Sequence, residues 1–487
     1  MAMAMGDDDH KKKKLHAIMI SVPYQGHINP FVNLALLLAS KGILVTFVHF
    51  EAVHHRLSSF HNLPPAGFNL FAGSGLDIRY TTISDGLHPL DYDRDIHFED
   101  YWKIIMLQFQ PRVDDFVGTL IRSNPDFAHF LVADTVFSWP AATAAKYGLV
   151  NVSFWTQPAL IFTVAYHLDL MKQHHHYPYT DDGDEEINYI PGVKSINSKD
   201  LMSFVKEPME TRIINRSTYE VFREVKKADF VLHNTVQELE SHTLSALSEY
   251  HPTYAIGPVN FAKNLPPIAM ARSLWSETDC TSWLDSKPPG SVLYVSFGSF
   301  VHTNKELLKE LANGLLLSGV NFLWVIREGI LGSGGGAAVP EGYEEAVGSR
   351  AMIIPWCNQV KVLSNPSIGG FLSHCGWNST VESIWCGVPM ICYPMLYDQP
   401  TNRKLIVDDW TVGINLCDGD RVDRIEVADK IKKFMSGDTA LRLRNQAQTM
   451  KKILKNAVEI DGSSTTNLDR FIHDLKAKMY GHPVNTS

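Results

Sequence analysis

Residues 291–327 decide the fold of this chain, because they contain SVLYVSF (291–297), KELLKELANGLLLS (305–318) and NFLWVIR (321–327). The two outer runs are short, β-branched and aromatic, which predicts buried strands. The middle run carries leucines at helical spacing, which predicts a helix. We therefore expect a parallel α/β domain in the second half of the chain. The same alternation predicts further strands at 351–355, 368–373 and 389–394.

The first half of the chain alternates in the same way. Residues 16–23 (HAIMISVP) and 43–50 (ILVTFVHF) predict two strands. Between them, Asn29 and Pro30 predict the N-cap and the first residue of a helix. The N-terminal half is thus expected to be an open, doubly wound sheet. A further strand and helix of this sheet are predicted at 129–133 (HFLVA) and 140–147 (PAATAAKY).

A linker separates the two halves. Residues 258–267 (PVNFAKNLPP) contain three prolines and no periodicity. Ligands of open parallel sheets bind beyond the carboxyl ends of the strands, so the functional site is expected in a cleft between two domains. The final helix is expected to pack back on the N-terminal domain. We predict a disordered tail (1–14), an N-terminal domain (15–258), a linker (259–275), a C-terminal domain (276–460) and a last helical segment (461–487).

Composition excludes several classes of protein. Of the 487 residues, 45% are hydrophobic and 20% charged, so the chain is not mainly disordered. A formal charge of −9 without a long basic tract argues against a nucleic acid partner. Six cysteines without a C-x-x-C pair predict neither a disulfide framework nor a structural zinc site. No signal peptide or membrane-spanning run is recognised, so we expect a cytoplasmic protein without stable membrane insertion, and also a monomer.

The most informative segment is 356–399, WCNQVKVLSNPSIGGFLSHCGWNSTVESIWCGVPMICYPMLYDQ. It predicts a strand that ends at His374, then a turn containing glycine, then a helix that begins at Asn378 and Ser379. Glu382 follows three residues later, as in an N-terminal capping box. Because a helix N-terminus beside a strand end binds anions, a ligand that carries phosphate is the natural occupant.

This segment resembles the signature box of plant family 1 UDP-sugar glycosyltransferases, which has the same length, opens with Trp, contains H-C-G-W-N-S and closes with an acidic residue and Gln. The resemblance implies the GT-B fold, in which two Rossmann-like, doubly wound domains face each other across a cleft. It also implies that the N-terminal domain binds the acceptor and the C-terminal domain the UDP-sugar. Further features similar to the family are PYQGHINP at 23–30, FWT at 154–156, IGP at 256–258, VSFGS at 295–299 and GSSTTNL at 462–468.

The resemblance also implies the residues that bind the donor. Trp356 would stack on uracil, while Gln359 and Glu382 would hold the ribose. A terminal Gln in this box is associated in the family with glucose. Hydroxyl, amide and backbone N–H donors can neutralise a diphosphate without a metal. The diphosphate would contact Ser299, His374, Asn378 and Ser379, the sugar would contact Thr156, Trp377, Asp398 and Gln399, and Cys357 and Gly376 complete the predicted donor site. The box departs from the family at Cys357-Asn358, where Ala-Pro is common, and at Asp398, where Glu is frequent.

His27 is the predicted general base. It follows the first strand next to Gly26, and a glycine there allows a ligand to approach closely. An imidazole at hydrogen-bonding distance can take the proton of an acceptor hydroxyl while the new C–O bond forms. Asp134 follows the strand at 129–133 and matches the family's partner aspartate, which would fix the imidazole tautomer.

The acceptor is expected to be a small apolar plant metabolite, a terpenoid or a phenolic. We predict an inverting, UDP-glucose-dependent O-glucosyltransferase, with UDP-glucose as donor substrate and with neither a metal nor another cofactor. The acceptor site is assigned to Gly26, Phe137, Gln157 and Tyr393, and its walls to the mostly apolar segments 83–87, 137–139, 157–167 and 190–204.

Two rival functions stay open at this point. Residues 332–337 (GSGGGA) follow a strand and match G-x-G-x-x-A, the fingerprint of an NAD(P)-dependent oxidoreductase. They continue into Pro340 and open no helix, which favours a loop. The second rival is a non-catalytic UDP-sugar-binding protein, which would need neither His27 nor Asp134.

Two motifs could bind metal. Asp91-Tyr92-Asp93 resembles the D-x-D of metal-dependent glycosyltransferases, but no apolar strand comes shortly before it, so an acidic loop is the better interpretation. The three histidines at 174–176 precede an acidic stretch and are predicted to be a solvated loop.

Overall fold

The computed structural model describes residues 13–60, 63–89, 97–179, 184–206, 213–263, 265–266, 273, 275–331, 338–417, 419 and 421–481. The strands of the N-terminal half are β1 (Lys14–Ile20), β2 (Leu44–Phe50), β3 (Ile78–Ile83), β4 (Phe127–Asp134), β5 (Val150–Trp155), β6 (Glu186–Ile187), β7 (Ile196–Asn197), β8 (Phe230–His233) and β9 (Thr253–Ala255). Those of the C-terminal half are β10 (Val292–Ser296), β11 (Asn321–Val325), β12 (Ala351–Ile354), β13 (Ile368–Ser373), β14 (Met390–Cys392) and β15 (Gly413–Asn415).

Helices cover both sheets. In the N-terminal half they are α1 (Gln25–Ser40), α2 (Glu51–Phe60), α3 (Phe98–Lys103), α4 (Gln110–Ser123), α5 (Pro140–Tyr147), α6 (Ala159–Tyr166), α7 (Leu168–Gln173), α8 (Ser203–Lys206), α9 (Ile213–Val225) and α10 (Ser241–Ser248). They continue with α11 (Thr281–Asp285), α12 (Lys305–Ser318), α13 (Tyr343–Val347), α14 (Gln359–Leu363), α15 (Trp377–Cys386), α16 (Gln399–Lys404), α17 (Arg424–Met435), α18 (Gly437–Ala457) and α19 (Ser463–Tyr480).

The two large sheets share one topology. Among the described residues, the N-terminal sheet has seven strands in the order β3-β2-β1-β4-β5-β8-β9, and the C-terminal sheet has six in the order β12-β11-β10-β13-β14-β15. All neighbouring pairs in both sheets are parallel. The strand order reverses between β1 and β4 in one sheet and between β10 and β13 in the other. Ligands of doubly wound folds bind at such switch points.

The residues that decided the fold class form the predicted elements. α12 spans Lys305–Ser318, as predicted from the leucine spacing. It begins where the Asn304 side chain accepts a hydrogen bond from the Leu307 N–H at 2.8 Å, and it ends at Gly319, whose φ of 71° is left-handed. Its leucines pack on β10 and β11 in a core under the C-terminal sheet. The predicted parallel α/β fold is confirmed.

The predicted start of α1 is wrong. The helix begins at Gln25, and Asn29 and Pro30 lie inside it. The Tyr24 carbonyl starts the helix by accepting the N–H groups of His27 and Ile28, both at 2.9 Å. Pro30 has no N–H, so the carbonyl of Gly26, four residues earlier, loses its usual partner within the helix.

The last helix packs against the N-terminal sheet. In α19, Asn467 donates a hydrogen bond to the Ala255 carbonyl at 2.9 Å, and the Tyr254 hydroxyl donates to Asp474 at 2.6 Å. The Phe471 ring meets Phe230 edge-on at 5.6 Å. This contact ties the end of the described chain to the N-terminal half, although α18, which precedes it, packs on α15 and α17 of the C-terminal half.

Candidate active site

A cleft of about 910 Å³ lies between the two sheets, at the carboxyl ends of their strands. This volume is near the upper end for small-molecule sites and leaves room for more than one ligand. Two elements approach each other across it, the start of α1 and the start of α15. Its lining includes most of the predicted site residues, namely Gly26, His27, Thr156, Gln157, Ser299, Trp356, Cys357, Gln359, His374, Gly376, Trp377, Asn378, Ser379, Glu382, Asp398 and Gln399.

His27 and Asp134 form a pair at the switch point of the N-terminal sheet. His27 lies in the first turn of α1 and Asp134 ends β4, the strand beside β1. The His27 Nδ1 lies 2.8 Å from an Asp134 carboxylate oxygen, and the Thr156 hydroxyl is 3.2 Å from the same nitrogen. Because Nδ1 is committed to this pair, Nε2 is the ring nitrogen available to a molecule in the cleft.

Asp134 is held in place by the backbone. Its side chain is only 1% exposed, and its two carboxylate oxygens accept the N–H groups of Val22 at 3.4 Å and Val136 at 3.3 Å. These two contacts fix the carboxylate, which in turn orients the imidazole. Burial lowers the pKa of His27, but the charge and hydrogen bond of Asp134, with a contribution from Asp398, outweigh it and raise this pKa above its usual value.

His374 occupies the matching position in the C-terminal sheet. It follows β13 and lies between two glycines. A Cβ on Gly298 would stand 2.6 Å from its ring, and one on Gly376 would stand 2.5 Å from it, so both positions require glycine. Burial lowers the pKa of His374 to about 4, despite a hydrogen bond with the Ser296 backbone. The imidazole is therefore neutral at physiological pH and serves as a hydrogen-bonding group.

The predicted capping box is wrong. α15 begins at Trp377, with Gly376 at the N-cap and no side-chain cap. Glu382 lies too far along this helix to reach its N-cap, and it faces α14 instead. There it accepts a hydrogen bond from Gln359 at 2.7 Å, and the Ser379 hydroxyl accepts one from the same amide at 2.9 Å. Burial raises the pKa of Glu382 to about 7. The predicted ribose residues are thus already joined in one network.

Trp356 has a neighbour that sequence reasoning missed. The ring of Trp275 stacks on it with centroids 4.7 Å apart, and the guanidinium of Arg56 lies 4.7 Å from the centre of Trp275. One face of Trp356 is therefore covered by Trp275, and both rings line the cleft. Cys357 is buried, with its sulfur 3.6 Å from the Tyr294 hydroxyl. Trp275 lies in the aperiodic linker region, where no sequence pattern assigned it a position.

Asp398 and Gln399 lie at the start of α16. Asn402 donates a hydrogen bond to Asp398 at 2.7 Å, and burial raises the pKa of Asp398 to about 6. The Gln399 side-chain carbonyl accepts the N–H groups of Met395 at 2.8 Å and Leu396 at 3.0 Å. This leaves the Gln399 NH₂ group as the part of the amide that can donate to a ligand.

Two of the residues predicted to contact the acceptor are not brought to the cleft. Phe137 is 2% exposed and packs against Trp139 in the N-terminal core, at 4.8 Å between centroids. Its neighbour Val136, in the turn after β4, lines the cleft instead. Tyr393 packs beside Phe297 under the C-terminal sheet. Of the predicted walls at 83–87, 137–139, 157–167 and 190–204, only Gln157 and Phe204 line the cleft.

Aromatic side chains from both halves form a wall that was not predicted. Phe98 and Trp102 stack in α3 with centroids 5.6 Å apart, and Trp102 donates to the Ser217 hydroxyl at 2.9 Å. Phe300 from the C-terminal half meets Phe98 at 5.1 Å and Tyr24 at 5.2 Å. The i, i+4 spacing of Phe98 and Trp102 is the signal that could have identified this wall.

The three histidines at 174–176 do not line this cleft. Residues 332–337 and 91–93 lie outside the described residues. His174 stacks on Tyr189 at 3.9 Å, and His176 lies 3.1 Å from Glu185. Within the described ranges, no group of three or more His, Cys, Asp or Glu residues could hold a metal ion, and all six cysteines are free thiols. No helix in these ranges has the length and apolar character needed to cross a membrane.

A two-sheet fold with an imidazole–carboxylate pair facing a neutral, donor-rich helix start defines a group-transfer enzyme of the GT-B class. Comparison with known proteins agrees. A sequence model of the family described as "UDP-glucoronosyl and UDP-glucosyl transferase" matches residues 206–432. UDP-glycosyltransferase 86A1 of Arabidopsis thaliana is 45% identical over 96% of this chain and 96% of its own. 7-Deoxyloganetin glucosyltransferase of Catharanthus roseus is 34% identical over 98% of this chain and 99% of its own.

Solved structures give the same result. Os79 from O. sativa in complex with UDP has a TM-score of 0.79 at 26% identity and covers 94% of this chain and 100% of its own. A UDP-glucosyltransferase from Polygonum tinctorium has a TM-score of 0.78 at 27% identity, over 95% of this chain and 99% of its own. The chain belongs to the plant UDP-glycosyltransferase family, and it is a glycosyltransferase of GT-B fold. Family membership favours glycosyl transfer over the oxidoreductase alternative.

Proposed function

We propose that this enzyme is an inverting, UDP-glucose-dependent O-glucosyltransferase for a small apolar plant metabolite, a terpenoid or a phenolic, with His27 as general base. One observation carries the proposal. The Gly26 carbonyl, next to His27, accepts a hydrogen bond from Asn378 in the first turn of α15 at 2.8 Å. The base is therefore beside the helix start that would hold the diphosphate.

In the proposed reaction, the His27 Nε2 takes the proton of the acceptor hydroxyl as its oxygen attacks the anomeric carbon of glucose. The bond between that carbon and the phosphate oxygen breaks, and UDP leaves with its electron pair. Asp134 stabilises the imidazolium that forms. The N–H groups at the start of α15, with His374 and Ser299, meet the charge that develops on UDP. Attack opposite the leaving group converts the α-linked donor into a β-glucoside.

The proposed donor site follows from the placement of residues in the cleft. Trp356 would stack on uracil, and Gln359 with Glu382 would hold the ribose. Asp398 and the Gln399 amide would hydrogen-bond the sugar hydroxyls, with Trp377 and Thr156 nearby. Two relatives support glucose, since the Catharanthus roseus protein is named a glucosyltransferase and the Polygonum tinctorium protein is described as capable of glucosylating indoxyl. The proposed donor needs no metal.

The acceptor class is supported by the aromatic wall. Tyr24, Phe98, Trp102 and Phe300 line the cleft together with His27, which favours a ring-containing apolar molecule with one hydroxyl directed at the base. The predictions of a monomer and of a cytoplasmic location stay predictions.

A library of terpenoid and phenolic alcohols, incubated with UDP-glucose, tests the proposal. We expect UDP release and a product heavier by one glucose, whose anomeric proton shows the β configuration by NMR. An α-glucoside would contradict the inverting mechanism. UDP-glucose binding without any transfer across the library would instead support the non-catalytic binder.

A further inference from the structure

A proline inside α1 leaves one backbone carbonyl free at the edge of the cleft. In a regular helix the Gly26 carbonyl would accept the N–H of residue 30, but Pro30 has none, and its ring pushes that carbonyl away from the helix axis. Gly26 lines the cleft. Its carbonyl is therefore directed to a partner outside α1.

That partner is Asn378, which lies 352 residues later in the chain and donates its side-chain NH₂ to the Gly26 carbonyl at 2.8 Å. The neighbouring Trp377 donates its indole N–H to the Asn234 carbonyl, also at 2.8 Å. Two consecutive side chains at the start of α15 thus bind backbone carbonyls of the N-terminal half. The first of these carbonyls belongs to the residue directly before His27.

The orientation of the Asn378 amide bears on its role. Its oxygen cannot face the Gly26 carbonyl, because two acceptors would repel each other, so the NH₂ group must be on that side. The Asn378 oxygen is buried and has no hydrogen-bond partner among the described residues. As an acceptor, this oxygen cannot bind a phosphate oxygen. The second hydrogen of the NH₂ group stays available to the phosphate, beside the backbone N–H groups at the start of α15.

We propose that Asn378 is a positioning residue. Through the Gly26 carbonyl, which Pro30 leaves without a partner in α1, it holds His27 at a fixed distance from α15, the helix that would bind the diphosphate. This inference rests on the proposed function, since it takes His27 to be the base. Proton transfer to an imidazole requires hydrogen-bonding distance, and a displacement of about 1 Å can cost on the order of 10²-fold in rate. The Gly26–Asn378 hydrogen bond connects the residue before His27 directly to the first turn of α15.

Pro30→Ala is the sharpest test, because it changes no residue in the cleft wall and gives α1 its missing N–H. The new N–H competes with Asn378 for the Gly26 carbonyl. We expect kcat with an aliphatic alcohol to fall roughly 10- to 100-fold. The dissociation constant of UDP-glucose should change less than about twofold, and the melting temperature should not fall. The loss in kcat should be smaller for an acidic phenol, which depends less on a base.

Asn378→Ala removes the other end of the same hydrogen bond and should show the same loss in kcat. The double variant Pro30→Ala/Asn378→Ala should lose no more activity than either single variant, because both changes break one interaction. Pro140→Ala is the matched control. Pro140 is the first residue of α5 and does not line the cleft. The first N–H of a helix has no partner within the helix in any case, so kcat should equal that of the wild type.

Several outcomes would overturn the proposal. One such outcome is that the wild-type enzyme is active and that Pro30→Ala and Asn378→Ala each have the same kcat as the wild type. Another is a tenfold weaker UDP affinity for Asn378→Ala with kcat unchanged, which would make this side chain a phosphate ligand. If Pro30→Ala does not fold, Asn378→Asp decides, since an unprotonated carboxylate cannot donate to the carbonyl and should lower kcat at least as much as Asn378→Ala. An inactive wild-type enzyme would instead refute the proposed function.

Discussion

The crevice beyond β1 and β4 and the crevice beyond β10 and β13 occupy equivalent places in two sheets of the same central strand order. Each contains one histidine, but the surroundings differ. The charge of Asp134 raises the pKa of His27 against the effect of burial, whereas burial between two glycines lowers the pKa of His374 to about 4. The first histidine can take up a proton near neutral pH, and the second cannot.

This difference shows that the fold supplies the place of a site and the neighbouring side chains supply its chemistry. At the first crevice the Asp134 carboxylate is fixed behind the ring, which suits proton transfer. At the second, a neutral ring lines the cleft together with Ser299 and Ser379, which suits an anion such as a diphosphate. The buried acids on that side, Glu382 and Asp398, have pKa values raised to about 7 and about 6, so they oppose a bound anion less than ordinary carboxylates would.

Removal of the base, which distinguishes the first crevice from the second, should have the largest effect on kcat. We expect His27→Ala to lower kcat for an aliphatic alcohol by about 10² to 10⁴, with less loss for readily ionised phenols, because general-base assistance is worth that much. UDP-glucose affinity, measured by calorimetry, should stay near wild type. Asp134→Ala should fall between His27→Ala and the wild type, since a misoriented imidazole is still a base.

The control for His27→Ala is His473→Ala on α19. His473 also lies 3.1 Å from an aspartate, Asp474, but its side chain is 79% exposed and far from the cleft in the fold. It should leave kcat unchanged. Undiminished turnover of His27→Ala on an aliphatic alcohol would refute the assigned role of the N-terminal crevice.

Substitutions in the proposed UDP-binding site should change UDP affinity more than the rate of the chemical step. Trp356→Ala removes a stacking platform worth about 1 to 3 kcal/mol, so UDP should bind roughly 5- to 150-fold more weakly. Gln399→Ala should lower glucose transfer and discrimination between sugars while UDP affinity stays nearly unchanged. Trp283→Ala is the control. The Trp283 ring contacts Lys287 and does not line the cleft, so its removal should leave UDP affinity unchanged. Equal losses of UDP affinity for Trp356→Ala and Gln399→Ala would contradict this division of roles.

The pH profile tests the electrostatic half of the comparison. The base works when His27 is deprotonated, so kcat/KM for an aliphatic alcohol should fall as pH drops through a pKa above the usual 6.5. In Asp134→Asn the raising charge is lost and burial still lowers the pKa, so the acidic limb should move to lower pH. A shift of one unit would change the rate about tenfold on that limb. An unmoved limb would mean that another group controls it.

Chelation should have the smallest effect, since the charge of the leaving UDP is assigned to the start of α15, His374 and Ser299. We expect turnover in excess EDTA to equal that without chelator. A loss in EDTA that Mg²⁺ or Mn²⁺ restores would return attention to Asp91 and Asp93, and Asp91→Asn would then be the variant to measure.

Local patterns determined the two parallel sheets, and they did so for a physical reason. The leucine spacing of 305–318 and the apolar runs beside it report burial directly, because each element buries one face whatever its partner is. The contiguous box 356–399 likewise brought its own residues together, since its strand, turn and helix are neighbours in the chain. His27 and Asp134 were found because each follows a strand and matches the family pattern, and adjacent parallel strands end at the same edge of a sheet.

What the tertiary structure alone decided is where side chains point and what they meet across the cleft. Phe137 lies one residue from a cleft position and packs into the core, and burial patterns do not distinguish these two destinations for an aromatic ring. Trp275 covers Trp356 from an aperiodic segment. The Gly26–Asn378 hydrogen bond joins residues 352 positions apart. Pro30 permits it, although in the sequence this proline predicts the start of a helix. Such contacts depend on how two separately folded sheets are docked, which no local periodicity encodes.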